Sequence, residues 1–429
     1  MAGQAGGDSV IVIGAGIIGV CAGLELQARG LDVTIVDRLD PGEACSFGNA
    51  GILAAQSFVP QAVPGVLGKV PGMLFDPEGP LVVRWGRLPL TLPWLMRFYR
   101  NARLEVIPPI SDALRALNST SLEMHEVLAK AAGVPELVQP SKYLFLYRNP
   151  ANADVENGLA WRLRRERGST IEVFDGPDAI REIEPELAPI YKRAVRLSPI
   201  GRTTNPFRLT QAYGRLFVER GGKLFKGQVT GLQAGSPVTV ETTRGSLQAS
   251  RLVIAGGSWT RDLIKPLGFD FPLIAERGYH MTFADPGIVL NHSISEGERY
   301  FAANSMEVGL RIAGTEELGH ADDPPAWRRA DVLGRMAKDM FPRANFSKPS
   351  KWMGPRPGTP DTLPVIGPVP GYPNIIIACG HGHLGLTGGP MTARIVAGLL
   401  TGERMNLDVR PYAADRFTKR RDSGKPQAA

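Results

Sequence analysis

Gly14-Ala15-Gly16-Ile17-Ile18-Gly19 follows the apolar run Val10 to Ile13 and opens a stretch, Ala15 to Arg29, with the pattern of a helix that Gly30 ends. Glycines at this spacing let a strand turn sharply into a helix and bring backbone N–H groups up to a pyrophosphate at the positive helix end. Asp37 closes the next run, Asp32 to Val36, where a carboxylate accepts hydrogen bonds from ribose hydroxyls. Strand, glycine turn, helix, strand and terminal acid together predict a dinucleotide site. The motif alone does not choose between nicotinamide and flavin, since both carry the same adenosine diphosphate half.

Arg356, in Gly354-Pro355-Arg356-Pro357-Gly358-Thr359-Pro360-Asp361, is the residue best suited to hold a substrate. A guanidinium grips a carboxylate through two parallel hydrogen bonds, which lysine does not reproduce; the competing reading is a surface pair with Asp361. Gly380-His381-Gly382-His383-Leu384-Gly385 repeats the glycine pattern, but no strand with a terminal acid follows it. A glycine turn feeding a helix there offers N–H groups and a positive helix end to a ligand that gains negative charge. His381 and His383 have no further ligands at metal-binding spacing, so no metal is expected.

To position these groups the chain must cross repeatedly between two regions. The first βαβ unit is followed, from Pro60 to Ile110, by prolines, glycines, aromatics and arginines that mark an excursion. Ser111 to Ala132 reads as a helix, Tyr143 to Tyr147 as a strand, and Leu159 to Arg167 and Phe207 to Arg220 as helices. Leu252 to Ala255, then Gly256-Gly257-Ser258 and a helix through Ile264, repeat the strand-to-glycine turn and predict a return. Gly278 to Phe283 and Glu307 to Ala313 read as strands, Trp327 to Met340 as a helix, Asn374 to Cys379 as a buried strand and Met391 to Leu400 as a helix. The fold class expected is α/β, with a Rossmann-like dinucleotide domain from residues 8–60, 205–270 and 356–414. It is interleaved with a smaller α+β substrate domain on an antiparallel sheet, from 61–204 and 271–355, and a polar tail, 415–429, lies outside both.

At 429 residues and 43% hydrophobic content the chain buries a large core and exceeds the usual single-domain size. Cys21, Cys45 and Cys379 are far apart, with neither zinc spacing nor a disulfide framework, which fits a reducing compartment. Asp8 stands where a signal peptide carries positive charge, and the apolar stretch Leu88 to Met96 stops at Arg97, short of the roughly 20 residues of a spanning helix. A cytoplasmic protein is expected. The net charge of +7 favours anionic partners, but no nucleic-acid-binding module is recognisable. Between Ser57 and Leu104, Lys69, Arg84, Arg87, Arg97, Arg100 and Arg103 interleave with Trp85, Trp94, Phe98 and Tyr99, against Asp76 and Glu78. Such a segment is either a solvated face over core aromatics or a surface that lies on anionic lipid.

Asp37-Arg38-Leu39-Asp40-Pro41-Gly42 and Ser46-Phe47-Gly48-Asn49-Ala50-Gly51 resemble the D-amino acid dehydrogenase branch of the FAD-dependent amino-acid oxidase superfamily, which includes glycine oxidase and sarcosine oxidase. The likeness continues through Asn205-Pro206, Gly227-Gln228-Val229, Val253 to Trp259, the Arg356 segment, Pro364-Val365-Ile366-Gly367 and Cys379 to Gly385. It implies FAD, held without a covalent bond, with contacts from Gly14, Ala15, Gly16, Ile17, Ile18, Gly19, Asp37, Arg38, Ser46, Asn49, Ala50 and Gly51. Further contacts are implied for Val229, whose backbone meets the adenine, and for Gly256, Trp259, Gly382, His383, Leu384, Gly385 and Thr387. The resemblance also places a substrate carboxylate on Arg356, helped by Tyr279 in Arg277-Gly278-Tyr279, which is similar to the K-G-Y segment of the branch. Here arginine replaces lysine and His280 replaces a small polar residue, which leaves the side-chain preference open.

The chemistry implied is oxidation of a small amino acid, a D-amino acid foremost, to an imine that hydrolyses to a 2-oxo acid and ammonia. The flavin takes the hydride while the protein positions the substrate, so no acid/base dyad is required. A quinone or electron-transfer protein is the acceptor the resemblance favours, and peripheral contact with the inner face of the membrane goes with it. D-proline or D-hydroxyproline as substrate, an oxygen-using glycine or sarcosine type of oxidase, and the flavin subunit of a hetero-oligomeric dehydrogenase are the other readings.

Overall fold

The computed structural model describes residues 9–418, apart from 65–67, 69 and 77; Asp8, Lys69 and the tail beyond 418 lie outside the described residues. Val10 to Ile13 are buried on both faces, as a strand inside a parallel sheet must be. This strand, Ser9–Ile13, pairs in parallel with Asp32–Asp37 on one side and with Arg251–Ile254 on the other. Lys223–Lys226 extends the sheet beyond Asp32–Asp37, and Tyr372–Cys379, in a hairpin with Val365–Val369, extends it beyond Arg251–Ile254. Helix Ile17–Gln27, mostly buried, packs against the C-terminal helix Gly385–Thr401. The glycine motif makes the tight entry to the first helix: Gly14 has φ +108°, and a Cβ on Gly19 would run into the Gly14 carbonyl.

A ten-stranded, mostly antiparallel sheet forms the other half of the architecture. Its strand Ile274–Phe283 is buried along its whole length, between Pro349–Gly358 and Gly309–Gly319. Helix Arg328–Met340 covers one face, with Leu333 and Met336 clustered with Met281 and Phe283. Because side chains alternate across a strand, Glu276 and Gly278 face the opposite way from Arg277 and Tyr279. A register shift between Gly278 and Tyr279 sets Gly278 opposite Glu316 and Tyr279 opposite Gly314.

Four details differ from the sequence expectation. The helix expected over Ser111 to Ala132 is two, Ile107–Asn118 and Ser121–Ala131, and both put side chains into the core of the dinucleotide sheet. Residues 107–131, assigned by sequence to the substrate domain, therefore also contribute to the core of the other half. The C-terminal helix starts at Gly385, ahead of Met391, and contains Pro390. Pro390 has no N–H for the Leu386 carbonyl, and His125 Nε2 donates to that carbonyl at 2.8 Å in its place. Finally, the first residues of the stretch 415–429 are ordered into the fold: Ala414–Phe417 is a short helix in which Arg416 pairs with Asp361 at 2.8 Å and Phe417 stacks on Phe271.

Candidate active site

A cavity of about 810 Å³ runs from the Gly14 turn to the face of the ten-stranded sheet, a volume suited to a cofactor together with a small substrate. Its lining includes Gly14, Gly16, Ile17, Ile18, Asp37, Arg38, Ser46, Asn49, Ala50, Val229, Gly256 and Trp259. Gly382, His383, Leu384, Gly385 and Thr387 line it from the C-terminal helix, and Tyr279 and Arg356 from the sheet. Three expected contacts stand behind this wall. Ala15 gives its N–H to Asp37 Oδ2 at 2.7 Å, Gly19 sits against the Gly14 carbonyl, and Gly51, at φ +76°, gives its N–H to Asn49 Oδ1 at 2.8 Å. They shape the turns and do not border the cavity.

The dinucleotide side is built from backbone and short polar groups. Asp37 also accepts the Leu39 N–H at 2.9 Å, so its carboxylate fixes both the glycine turn and the segment after its own strand. Ser46 Oγ accepts the Ile17 N–H at 3.0 Å, and Arg38 lies 4.7 Å from the centre of the Trp259 ring. Thr387 Oγ1 accepts the Ala54 N–H at 3.2 Å, tying the C-terminal helix to the strand Ile52–Leu53. Neither helix that starts at the cavity, Ile17–Gln27 or Gly385–Thr401, has an acid in its first turn or a capping side chain at its N-cap. Two positive helix ends therefore face one cavity, and this fits a dianionic pyrophosphate at one and a flavin that gains charge on reduction at the other.

The loop Ser46 to Gly51 is held by Arg311 and Asn304, which the sequence reading did not single out, and by His280. Arg311, nearly buried, donates to the carbonyls of Asn49 at 2.7 Å and Phe47 at 3.2 Å, and Asn304 Nδ2 donates to that of Ala50 at 3.0 Å. His280 Nδ1 donates to the Gly48 carbonyl at 3.1 Å, and its ring stacks on Trp352. Burial, with the neighbouring Arg311 cation, pushes the His280 pKa down to about 3, so this imidazole is neutral. Burial pushes the thiols of Cys45 and Cys379 up to about 12, which disfavours the thiolate needed for covalent attachment.

On the substrate side, Arg356 stands opposite Glu276 in the sheet, and its guanidinium lies across Gly278, where a Cβ would collide with it. Its Nε donates to the Glu276 carbonyl at 3.3 Å. Among the described residues no carboxylate lies within 4.0 Å of it, and Asp361, the surface partner considered from sequence, pairs with Arg416. Glu316 lines the cavity beside Gly278, and Glu276 is buried behind Arg356. Neither carboxyl was foreseen: their meeting depends on the pairing register of three strands. His383 opens onto the cavity as an exposed side chain, its Nδ1 3.2 Å from Gln61 Nε2. His381 donates or accepts at Thr392 Oγ1, 2.9 Å away, in the core, and its pKa falls to about 3 through burial. No group of metal-ligating side chains occurs among the described residues.

Tyr279 does not have the role expected from sequence. Its hydroxyl donates to Glu317 Oε2 at 2.6 Å and accepts the Ala326 N–H at 2.9 Å, on the far face of the sheet. Arg277, fully buried, pairs with the same Glu317 oxygen at 2.9 Å. Strand alternation sends both side chains away from Arg356, so neither hydroxyl nor guanidinium is available for a substrate carboxylate.

A doubly built cavity of this kind, with a Rossmann-type turn at one end and an antiparallel sheet at the other, defines a flavin-dependent oxidoreductase. The chain belongs to the family described as FAD dependent oxidoreductase, which it matches over residues 9–399. It is 36% identical over 421 residues to a D-amino-acid oxidase of Bradyrhizobium diazoefficiens, covering 96% of this chain and 99% of that one. A D-amino acid dehydrogenase of the same organism is 30% identical over 423 residues, with 96% and 99% covered. Among solved structures, glycine oxidase from Geobacillus kaustophilus has the same fold, with a TM-score of 0.74 at 21% identity over 95% of this chain and 98% of that one.

Proposed function

We propose that this flavoenzyme oxidises small amino acids, D-amino acids foremost, to imines that hydrolyse to 2-oxo acids and ammonia. The observation that carries the reading is Arg356, a cation on the cavity wall with no carboxylate partner among the described residues. A substrate carboxylate in a fork-shaped double hydrogen bond would orient the Cα–H. FAD, held without a covalent bond by the glycine turn, Asp37, Ser46 and the start of the C-terminal helix, supplies the hydride acceptor. Gly278 leaves room for the guanidinium, and the stacked rings of His280 and Trp352 stand on the same face of the sheet. The names of the relatives, a D-amino-acid oxidase and D-amino acid dehydrogenases, support the substrate class.

A quinone or electron-transfer protein is the acceptor we propose, with peripheral contact at an anionic membrane surface. Helix Leu88–Asn101 favours this: Leu92, Met96 and Tyr99 are exposed on it, Trp85 precedes it at 70% exposure, and Arg97, Arg100 and Arg103 stand among them. Apolar side chains with interleaved cations suit the headgroup layer. No helix among the described residues is long and apolar enough to cross a membrane. Anaerobic mixing of the purified yellow protein with a panel of D- and L-amino acids tests the reaction. Bleaching of the flavin by D-amino acids, reversed by a quinone faster than by oxygen, is expected. A flavin bleached by simple amines but by no amino acid would contradict it.

A further inference from the structure

We propose that Glu316 accepts the ammonium proton of the substrate, with Glu276 as the second member of a carboxyl pair beside Arg356. This inference rests on the amino-acid oxidation proposed above. It adds a proton acceptor to a reaction whose hydride chemistry does not by itself call for one.

The placement follows from the register of three strands. Arg356 is opposite Glu276, and Gly278, two residues on, is opposite Glu316. The guanidinium lies over Gly278, so it reaches across the middle strand toward Glu316. The two are nevertheless not an ion pair: no carboxylate comes within 4.0 Å of Arg356 among the described residues. A cation and an anion that flank a cavity without touching match a zwitterion, whose carboxylate and ammonium are held a few bonds apart. Glu276 completes the arrangement from behind. It is 1% exposed, its Oε2 has no hydrogen-bond partner among the described residues, and that oxygen is 3.5 Å from where a Cβ on the cavity-lining Gly382 would stand.

Burial raises the pKa of both carboxyls, and Glu316 raises that of Glu276 further, while Arg356 opposes both shifts. Two such groups hold one proton between them. The rise is the larger for the deeper Glu276, which Glu316 also pushes up, so of the two Glu316 gives up its proton the more readily. Of the other charged or titratable groups, Arg356, His383, Cys45, Tyr143 and Tyr300 line the same cavity, whereas Arg277, Glu317 and the Tyr279 hydroxyl are bonded to one another on the opposite face. The adjoining strand Leu81–Val83 brings only uncharged Leu81 opposite Glu316.

The substrate arrives as an ammonium, but a nitrogen lone pair must be free to form the C–N double bond. One N–H bond breaks, its electron pair stays on nitrogen, and the proton passes to a Glu316 oxygen. An ammonium and a carboxylate become an amine and a carboxylic acid, with no change of oxidation state. A carboxyl with a raised pKa is well matched to this task near neutral pH.

The test is the rate of anaerobic flavin reduction against pH for wild type, Glu316→Gln and Glu316→Asp, using the D-amino acid that bleaches the wild type fastest. Glu316→Gln should lose about 100-fold at pH 7 and regain about tenfold per pH unit, as bulk solvent deprotonates the amine. Its rate should meet the wild type at alkaline pH. Glu316→Asp should keep the wild-type profile at a reduced rate. FAD content and the affinity for benzoate, a carboxylate without an amine, should be unchanged in both variants, reporting an intact fold and an intact Arg356. A loss that is the same at every pH, or no loss, would overturn the role of Glu316 and leave amino-acid oxidation standing. A wild-type flavin bleached by no amino acid would overturn both.

Discussion

On the dinucleotide side of the cavity the groups are mostly backbone turns and short polar side chains near one another in sequence, Gly14 to Gly19 with Asp37 and Ser46. On the substrate side they are long side chains from separate strands, and Arg356 meets the Glu276 carbonyl across 80 residues of chain. The first wall needs N–H groups and close approach, which glycine spacing supplies locally. The second needs charge at defined points, which only tertiary register supplies. One wall can thus stay fixed for a common cofactor while the other changes with the substrate.

The largest effect that would probe this difference is at Gly19, where even a small side chain collides with the Gly14 carbonyl. Gly19→Val should displace the helix from the turn at a cost of several kcal/mol, and the protein should purify without its yellow colour. The FAD-to-protein absorbance ratio checks this; full FAD occupancy would mean that the backbone turn is not what holds the cofactor.

A smaller effect is expected at Tyr279, which belongs to the far face of the substrate sheet. Tyr279→Phe removes the hydrogen bond to Glu317 and leaves the Ala326 N–H without its acceptor, a loss of about 1–3 kcal/mol. The melting temperature should fall by several degrees while KM for the best amino acid stays within about twofold of wild type. An unchanged melting temperature with a steep rise in KM would return the hydroxyl to the substrate site.

The same division explains what could be read in advance. The glycine turn, Asp37 and the two returns of the chain to the first sheet were legible, because each is a local pattern of strand, turn and helix. Arg356 could be singled out by its chemistry and by family resemblance, and it stands on the cavity wall. Glu276 and Glu316 were not legible, because their meeting depends on a strand pairing that no single segment encodes. The opposite orientation of Tyr279 follows from side-chain alternation along its strand once Gly278 faces Arg356. The early start of the C-terminal helix was hidden for another reason: Pro390 is tolerated there because His125, from a distant helix, supplies the missing donor. Ala414–Phe417 looked like tail because its anchors, Asp361 and Phe271, are far away in sequence.

The central claim is that Arg356 makes this flavoenzyme an amino-acid enzyme, and a paired comparison tests it most directly. Wild type and Arg356→Lys are each assayed with a D-amino acid and with the amine that lacks its carboxylate. Lysine keeps the charge but loses the planar fork, so kcat/KM for the amino acid should fall about 30-fold or more. The amine, poor with wild type, should change by less than about twofold, and FAD content should stay the same. If the amino acid and the amine lose the same factor, Arg356 holds the structure and not the carboxylate, and the account is wrong at its centre.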